Sequence, residues 1–270
     1  MPRLSPELEE AVQARLRYYR DLGVYDFYRR GEPDPSAEIE TVTVTESEPI
    51  AIPEPEPLMP RKAAPVTIIP AATSEVIPAA ERAAALEAIR ADIGDCTRCP
   101  LAFQGRHKIV FADGDPNARL LCVGDGPGAD EDAQGLPFVG RAGQLLNNMI
   151  NAMGVKREQV YIANVVKCRP PQNRTPEPAE ANTCMQFLWR QIDVVRPEVM
   201  VALGATAATY LLGMKSSLAG LRGRIHQVRG SKLIVTYHPA YLLRDPNQKK
   251  EAWKDLQIAM AELGLKGPVR

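Results

Sequence analysis

Four of the five cysteines have a spacing that suits metal binding. Cys96 and Cys99 form a C-x2-C unit in DCTRCPL, Cys168 follows an apolar run in NVVKCRPP, and Cys184 falls in the next helical pattern. Thiolates bind zinc and iron–sulfur clusters, and a two-residue spacing gives a tight chelating pair. The spacing by itself leaves both metals open. Cys122 lies inside the apolar run LLCVG and is expected to be a small buried hydrophobe.

Other polar and aromatic residues follow or adjoin predicted strands. The segment GDGPGADED (124–132) is rich in glycine, which lets backbone approach a ligand, but its acids would repel phosphate. Asp125 in it could stabilise a cation, orient water or belong to a solvated turn. Asn164 has one acceptor and two donors, which suit hydrogen bonding to the edge of a base, and it could instead cap the end of a strand. His238 precedes a proline and is the best-placed histidine for catalysis, and Phe138 could stack on a planar ligand or pack its loop.

The elements that must position these residues alternate along the chain. Short apolar, β-branched runs predict buried parallel strands at 120–123, 160–166, 199–203 and 233–236. Helical patterns fall at 79–93, 140–153, 178–194, 205–213 and 248–263. Alternating strands and helices predict an α/β fold with a parallel sheet, in which ligands bind at the carboxyl ends of the strands.

Charge is unevenly distributed along the chain of 270 residues, although 33 Lys plus Arg balance 33 Asp plus Glu. Residues 31–60 hold eight acids and no Lys or Arg, whereas residues 96–270 hold 23 Lys plus Arg against 15 Asp plus Glu. A basic body permits a polyanionic partner. No apolar stretch approaches the roughly 18 residues of a membrane span, and no secretory signal is evident, so we expect a cytoplasmic protein with reduced thiols.

Three regions are predicted. Residues 1–30 contain an amphipathic helix at 5–20, which is either a solvated helix on a tether or a docking element for a protein partner. Residues 31–80 hold ten prolines and are expected to be a disordered acidic linker. Residues 81–270 form the folded domain.

Over residues 92–264 the sequence resembles the family 4 uracil-DNA glycosylases, the iron–sulfur type. The resemblance is carried by DCTRCPL, VGDGPGADED, LPFVGRAGQLL, YIANVVKCRPPQNRTP, VALGATA and YHPAYLLR, in matching order and spacing. It implies a three-layer α/β/α fold around a four-stranded parallel sheet, a monomer and a 4Fe–4S cluster on Cys96, Cys99, Cys168 and Cys184. The implied partner is uracil-containing DNA, single- or double-stranded.

The resemblance also implies roles for the residues singled out above. The uracil nucleotide is flipped out of the duplex; Phe138 stacks on the base and Asn164 hydrogen-bonds its edge. His238 stabilises the uracil O2 anion, helped by backbone amides at Gly126. Glu131 matches a family acid near the base pocket.

The segment YHPAYLLR is expected to form a loop that reaches into the DNA. Leu242, or its neighbour Tyr241 or Leu243, would fill the space that the flipped base leaves, and Arg244 belongs to the same segment. The loop KCRPPQNRTP has no histidine of the kind that traps uracil covalently in one branch of the superfamily. Hydrolytic release of the base is therefore expected.

One departure from the family pattern concerns Asp125, where glutamate is usual. Aspartate withdraws the carboxylate by roughly 1.5 Å, and a misplacement of that size can cost about 10²-fold in rate. An alternative is therefore an iron–sulfur DNA-binding module of the same fold with weak or lost glycosylase activity. A structural zinc protein without a role on DNA is the third hypothesis.

Overall fold

A computed structural model describes residues 76–265, so the predicted helix in 1–30 and nearly all of the linker 31–80 lie outside the described residues. The strands are β1 (Asp113–Gly114), β2 (Leu120–Gly124), β3 (Val160–Asn164), β4 (Val199–Leu203), β5 (Ile225–Val228) and β6 (Ser231–Thr236). The helices are α1 (Arg82–Ile93), α2 (Ala129–Gln134), α3 (Arg141–Ala152), α4 (Pro178–Val195), α5 (Ala205–Leu212), α6 (Leu218–Leu221), α7 (Pro239–Arg244) and α8 (Lys249–Leu263).

The strands form one sheet in the order β1-β3-β2-β4-β6-β5. The four inner strands are parallel and confirm the four predicted from sequence, while β1 and β5 add antiparallel edges. The two edge strands carry no buried apolar run, since β1 is only two residues long and β5 is mostly exposed, so their sequences gave no strand signal.

Helices cover both faces of the sheet and give the predicted three layers. Side chains alternate along each buried strand, so that Leu121 and Val123 of β2 pack with α1, α4 and α5, whereas Leu120 and Cys122 pack with α3 and α8. The five predicted helices correspond to α1, α3, α4, α5 and α8, and a short 3₁₀ turn precedes α1. Three short helices, α2, α6 and α7, were not expected.

The parallel strands end together at one edge of the sheet. Gly124 of β2 pairs with Asn164 of β3, and Leu203 of β4 pairs with Thr236 of β6. The loops that follow β2, β3 and β6 therefore start side by side. Within residues 76–265, none of the helices has the length and apolar character needed to cross a membrane.

Candidate active site

The carboxyl edge of the parallel strands opens into a cavity of about 510 Å³. Its walls come from the loops that follow β2, β3 and β6, which the sequence pattern identified as the place to look for a ligand site. The sequence-predicted residues that line it are Asp125, Gly126, Glu131, Phe138, Asn164, His238, Tyr241 and Arg244.

An unpaired acceptor lies in the wall of this cavity. Asn164 is 1% exposed, and its side-chain Oδ1 has no hydrogen-bond partner among the described residues. Buried polar atoms are nearly always hydrogen-bonded, so this oxygen is suited to a donor on a bound ligand. Gly124 leaves the space for it, because a Cβ at that position would lie 2.4 Å from Oδ1.

The ring of Phe138 packs beside this amide. It is 5% exposed, and a Cβ on Gly124 would lie 2.6 Å from its Cζ. The ring centroid lies 5.7 Å from that of His238, with the planes tilted by 34°. Amide, phenyl ring and imidazole thus surround one space that suits a planar, hydrogen-bonding ligand.

The backbone of Phe138 is held in a strained conformation by a residue that sequence reasoning missed. Its φ of 52° lies in the left-handed region, which costs a non-glycine residue about 1–2 kcal/mol. The Arg157 guanidinium donates to the carbonyls of Pro137 (2.6 Å) and Phe138 (3.1 Å), and also binds Asp113 and Asn147. No sequence signal pointed to it, because its partners are mainly backbone atoms and distant side chains.

His238 is fixed in one tautomer at the N-terminus of α7. Its Nδ1 accepts the backbone N–H of Ala240 at 3.1 Å, so the neutral ring carries its proton on Nε2. Burial lowers the pKa of His238, and the carboxylate of Asp125 partly opposes that shift. The ring is therefore neutral near pH 7 and offers an Nε2–H donor.

The Asp125 carboxylate lies between the histidine and the glycine-rich loop. Its Oδ1 is 3.6 Å from Nε2 of His238 and accepts the backbone N–H of Gly126 at 3.0 Å. The side chain remains one-third exposed, at 33%. A negative charge is thus available at the cavity, but on a short side chain that bonds to its own loop.

Glu131 organises backbone around the cavity. Its two oxygens accept N–H groups of Gly128 (3.0 Å), Val139 (2.9 Å) and Gly140 (3.0 Å). This carboxylate ties the glycine loop to the segment that carries Phe138. The bond from Gly128 N–H to Glu131 is the half of a capping box that a glycine N-cap allows at the start of α2.

Tyr241, Leu242 and Leu243, which were expected in a loop, lie in helix α7, so that prediction was wrong. Pro239 at the first helical position pre-sets the backbone for a helix. Leu242 is 1% exposed and packs inward, while Leu243 is 37% exposed. Tyr241 stacks on Tyr237 at 5.2 Å between ring centroids.

Comparison with known proteins identifies the family to which this chain belongs. Residues 111–257 match the family model described as the Uracil DNA glycosylase superfamily. The chain belongs to this superfamily. The Type-4 uracil-DNA glycosylase of Thermotoga maritima is 47% identical over 166 residues, 61% of this chain and 86% of the relative. The Type-4 uracil-DNA glycosylase of Archaeoglobus fulgidus is 37% identical over 192 residues, which cover 68% of this chain and 96% of the relative. That of Sulfurisphaera tokodaii is 41% identical over 182 residues, which cover 64% of this chain and 82% of the relative.

Three arginines and three acids, Asp125, Asp130 and Glu131, line the cavity of this superfamily member. Arg141 and Arg244 are exposed and Arg174 is half-buried, and all three line the cavity. Arg174 is fixed by a two-oxygen contact with the buried Glu180, at 2.8 and 2.6 Å, which also lowers the pKa of that carboxyl. Guanidinium groups around an opening are suited to phosphate oxygens.

The four cysteines Cys96, Cys99, Cys168 and Cys184 line a second, small cavity, called here the cysteine cavity. Three of the sulfurs accept N–H groups: Cys96 from Arg98, Cys168 from Arg106, and Cys184 from the backbone of Lys167, at 3.3–3.5 Å. Within residues 76–265, no three His, Cys, Asp or Glu side chains are arranged as ligands of a single metal ion.

Burial disfavours free thiolate anions in the cysteine cavity. Burial raises the pKa of Cys168, and raises that of Cys184 to about 12. Without a metal both thiols are protonated at neutral pH, and a metal would replace those protons. Converging thiols with N–H donors around the sulfurs fit an iron–sulfur cluster.

Proposed function

We propose that this protein is a uracil-DNA glycosylase that hydrolyses the N-glycosidic bond of deoxyuridine in DNA. The observation that carries the proposal is the buried, unpaired Oδ1 of Asn164 beside the Phe138 ring and the neutral His238. The names of the most similar relatives support it. The reaction is a step of base-excision repair and leaves an abasic site.

Uracil matches the hydrogen-bonding pattern of Asn164. The base offers N3–H as donor to Oδ1 and O4 as acceptor for the side-chain NH₂, while the ring of Phe138 stacks on its face. Cytosine has an acceptor at N3 and an amino group at C4, which leaves buried polar groups unpaired. A mismatch of this kind can give a discrimination of about 10⁴–10⁵.

Cleavage of the C–N bond places negative charge on uracil and positive charge on the sugar. The Nε2–H of His238 would donate to uracil O2 as that charge develops, a stabilisation worth about 3–4 kcal/mol for one well-placed donor. The Asp125 carboxylate would stabilise the cationic sugar and orient water. Water supplies the hydroxyl to C1′ and a proton to uracil, which balances the hydrolysis.

The target nucleotide must leave the duplex to enter the cavity. Unstacking costs a few kcal/mol, and an apolar side chain in the vacated space offsets part of it. Since Leu242 is buried, we assign this role to the exposed Leu243, with Tyr241 beside it. Phosphates would bind the arginines of the cavity rim.

We further propose that the cysteine cavity holds a 4Fe–4S cluster. The donor set is four thiols from three separate segments, and N–H groups around the sulfurs would stabilise anionic ligands. Such a cluster supplies structural cross-linking of the ligand segments and a redox-active centre. The binding of uracil and the hydrolysis are assigned to the residues of the main cavity.

A second candidate is a DNA-binding relative that has lost most of its chemistry. Asp125 favours it, because the short carboxylate bonds to the N–H of Gly126. This candidate expects uracil-dependent DNA binding with negligible turnover.

The test uses the full chain with duplexes that carry a single uracil, thymine or cytosine. Free uracil is quantified, and the strand is examined before and after alkali, because an abasic site breaks only on alkaline treatment. The proposal expects uracil release from the uracil duplex alone, with an intact strand before alkali. Tight binding without release would support the second candidate instead. Iron content and absorbance near 400 nm on the same sample report the cluster, and a colourless, iron-free protein would contradict it.

A further inference from the structure

A fully buried lysine lies between the cysteine cavity and Asn164. Lys167 is 1% exposed and lines the cysteine cavity together with the four thiols. Its Nζ donates to the backbone carbonyl of Asn164 at 3.0 Å and to Oε1 of Gln191 at 2.6 Å. Lys167 therefore lies at the proposed cluster site, and its side chain bonds to the backbone of the residue that is proposed to read uracil.

The second acceptor of this ammonium group is itself fixed in the core. The Nε2 of Gln191 donates to the carbonyl of Phe111 at 3.3 Å and to the hydroxyl of Tyr161 at 3.2 Å. Gln191 and Tyr161 are both buried. These hydrogen bonds fix the position of Nζ of Lys167, and Nζ in turn fixes the backbone carbonyl of Asn164 at the end of β3.

The charge of Lys167 needs a counter-charge. Among the described residues no ion pair joins it to a carboxylate, and Sγ of Cys184 accepts the backbone N–H of Lys167 at 3.3 Å. A buried ammonium without an opposite charge is costly. Four thiolates outweigh the positive charge of an iron–sulfide core, so a bound cluster would be anionic and would lie beside this lysine.

We propose that Lys167 is a positioning residue that couples the cluster to uracil recognition. The anionic cluster holds the ammonium group, and the ammonium group holds the Asn164 carbonyl so that the side-chain amide faces the base. The inference rests on the proposed function, since it needs both the cluster and the role of Asn164. In this arrangement the cluster acts on the base pocket through the side chain of Lys167.

The experiment compares Lys167→Met with Arg106→Met in the full chain. Arg106 is a matched cation, because it donates to Sγ of Cys168 (3.5 Å) and to the carbonyl of Cys96 (2.7 Å), and its hydrogen bonds do not include Asn164. Removing either positive charge should make the reduction potential of the cluster more negative. Lys167→Met should lower kcat/KM for uracil release about 10–100-fold further than Arg106→Met does, and it should also weaken discrimination against cytosine.

Each result decides a part of the proposal. A Lys167→Met potential equal to that of the parent overturns the charge pairing, and equal activity losses in the two variants overturn the link to Asn164. If Lys167→Met loses its iron, Gln191→Met is used in its place. This variant keeps the positive charge of Lys167 but removes its contact with Gln191. Lowered uracil release with an unchanged reduction potential supports the link to Asn164, and uracil release at the parental rate contradicts it. A parent that holds iron but releases no uracil refutes the proposed function, while the potentials still decide the charge pairing.

Discussion

Replacing Arg157 by glutamine should both destabilise the protein and slow uracil release. The guanidinium holds the carbonyls of Pro137 and Phe138 and forms two contacts of 2.9 and 3.0 Å with Oδ2 of Asp113. Hydrogen bonds to a charged group contribute about 1.5–3 kcal/mol each. The glutamine amide can replace some of these hydrogen bonds, so we expect a loss of about 3 kcal/mol in the free energy of unfolding.

The effect on catalysis follows from the strained φ of Phe138. Without the guanidinium the backbone can relax, and a shift of about 1 Å in the ring that stacks on uracil can cost about 10²-fold in kcat/KM. Urea unfolding and single-turnover uracil release measure the two effects. Added guanidinium ion should restore part of the activity of Arg157→Ala, since it can occupy the same position.

Arg119→Gln is the matched control. Arg119 also forms a two-oxygen contact with a carboxylate, Glu198, and donates to the carbonyl of Leu263, but at the opposite edge of the sheet. Because this ion pair is half exposed, we expect a loss of no more than about 1 kcal/mol and parental activity. An Arg157→Gln variant with parental kcat/KM would refute the reasoning, and so would an equal activity loss in the control.

Three further predictions concern the cavity and helix α7. Asp125→Glu should raise single-turnover kcat/KM by up to about 10²-fold, because the carboxylate gains roughly 1.5 Å of reach; an unchanged or lower rate would show that reach is not limiting. Since burial lowers the pKa of His238 below its usual 6.5 and the neutral ring is the proposed donor, kcat/KM should change little between about pH 7 and 8, and the midpoint of its fall on the acid side should lie below pH 6.5. Asp125→Asn removes the charge that raises this pKa, so the fall should move to still lower pH; a fall beginning above pH 7 would contradict the assignment. Leu243→Ala should slow release from duplex more than from single-stranded DNA, whereas Leu242→Ala should mainly lower stability, by about 2–5 kcal/mol; equal slowing on both substrates by Leu243→Ala would count against insertion.

The sheet and the location of the site could be predicted because they depend on local pattern. Each inner strand contains a short apolar run, and Asp125, Asn164 and His238 each stand at or just after the carboxyl end of one strand. The carboxyl ends of parallel strands lie at one edge of the sheet. Residues that directly follow the strands in the sequence are therefore expected to lie close together.

Other features depend on contacts between distant segments and gave no local signal. Arg157 acts on carbonyls that lie about 20 residues earlier in the chain. The burial of Leu242 follows from α7, a helix too short to show a periodic pattern, although Pro239 marked its start. The buried position of Lys167 contradicts the usual exposure of lysine and follows from its network with Gln191.

Single-turnover uracil release by the full chain beside Asn164→Asp tests the central claim most directly. The claim is that the unpaired amide of Asn164 reads uracil. The parent should release uracil, and the variant should be at least about 10²-fold slower, because a carboxylate offers no donor to uracil O4 and leaves a buried group unpaired. Iron content should be equal in the two proteins. No release by the parent, or equal release by both, would contradict the account.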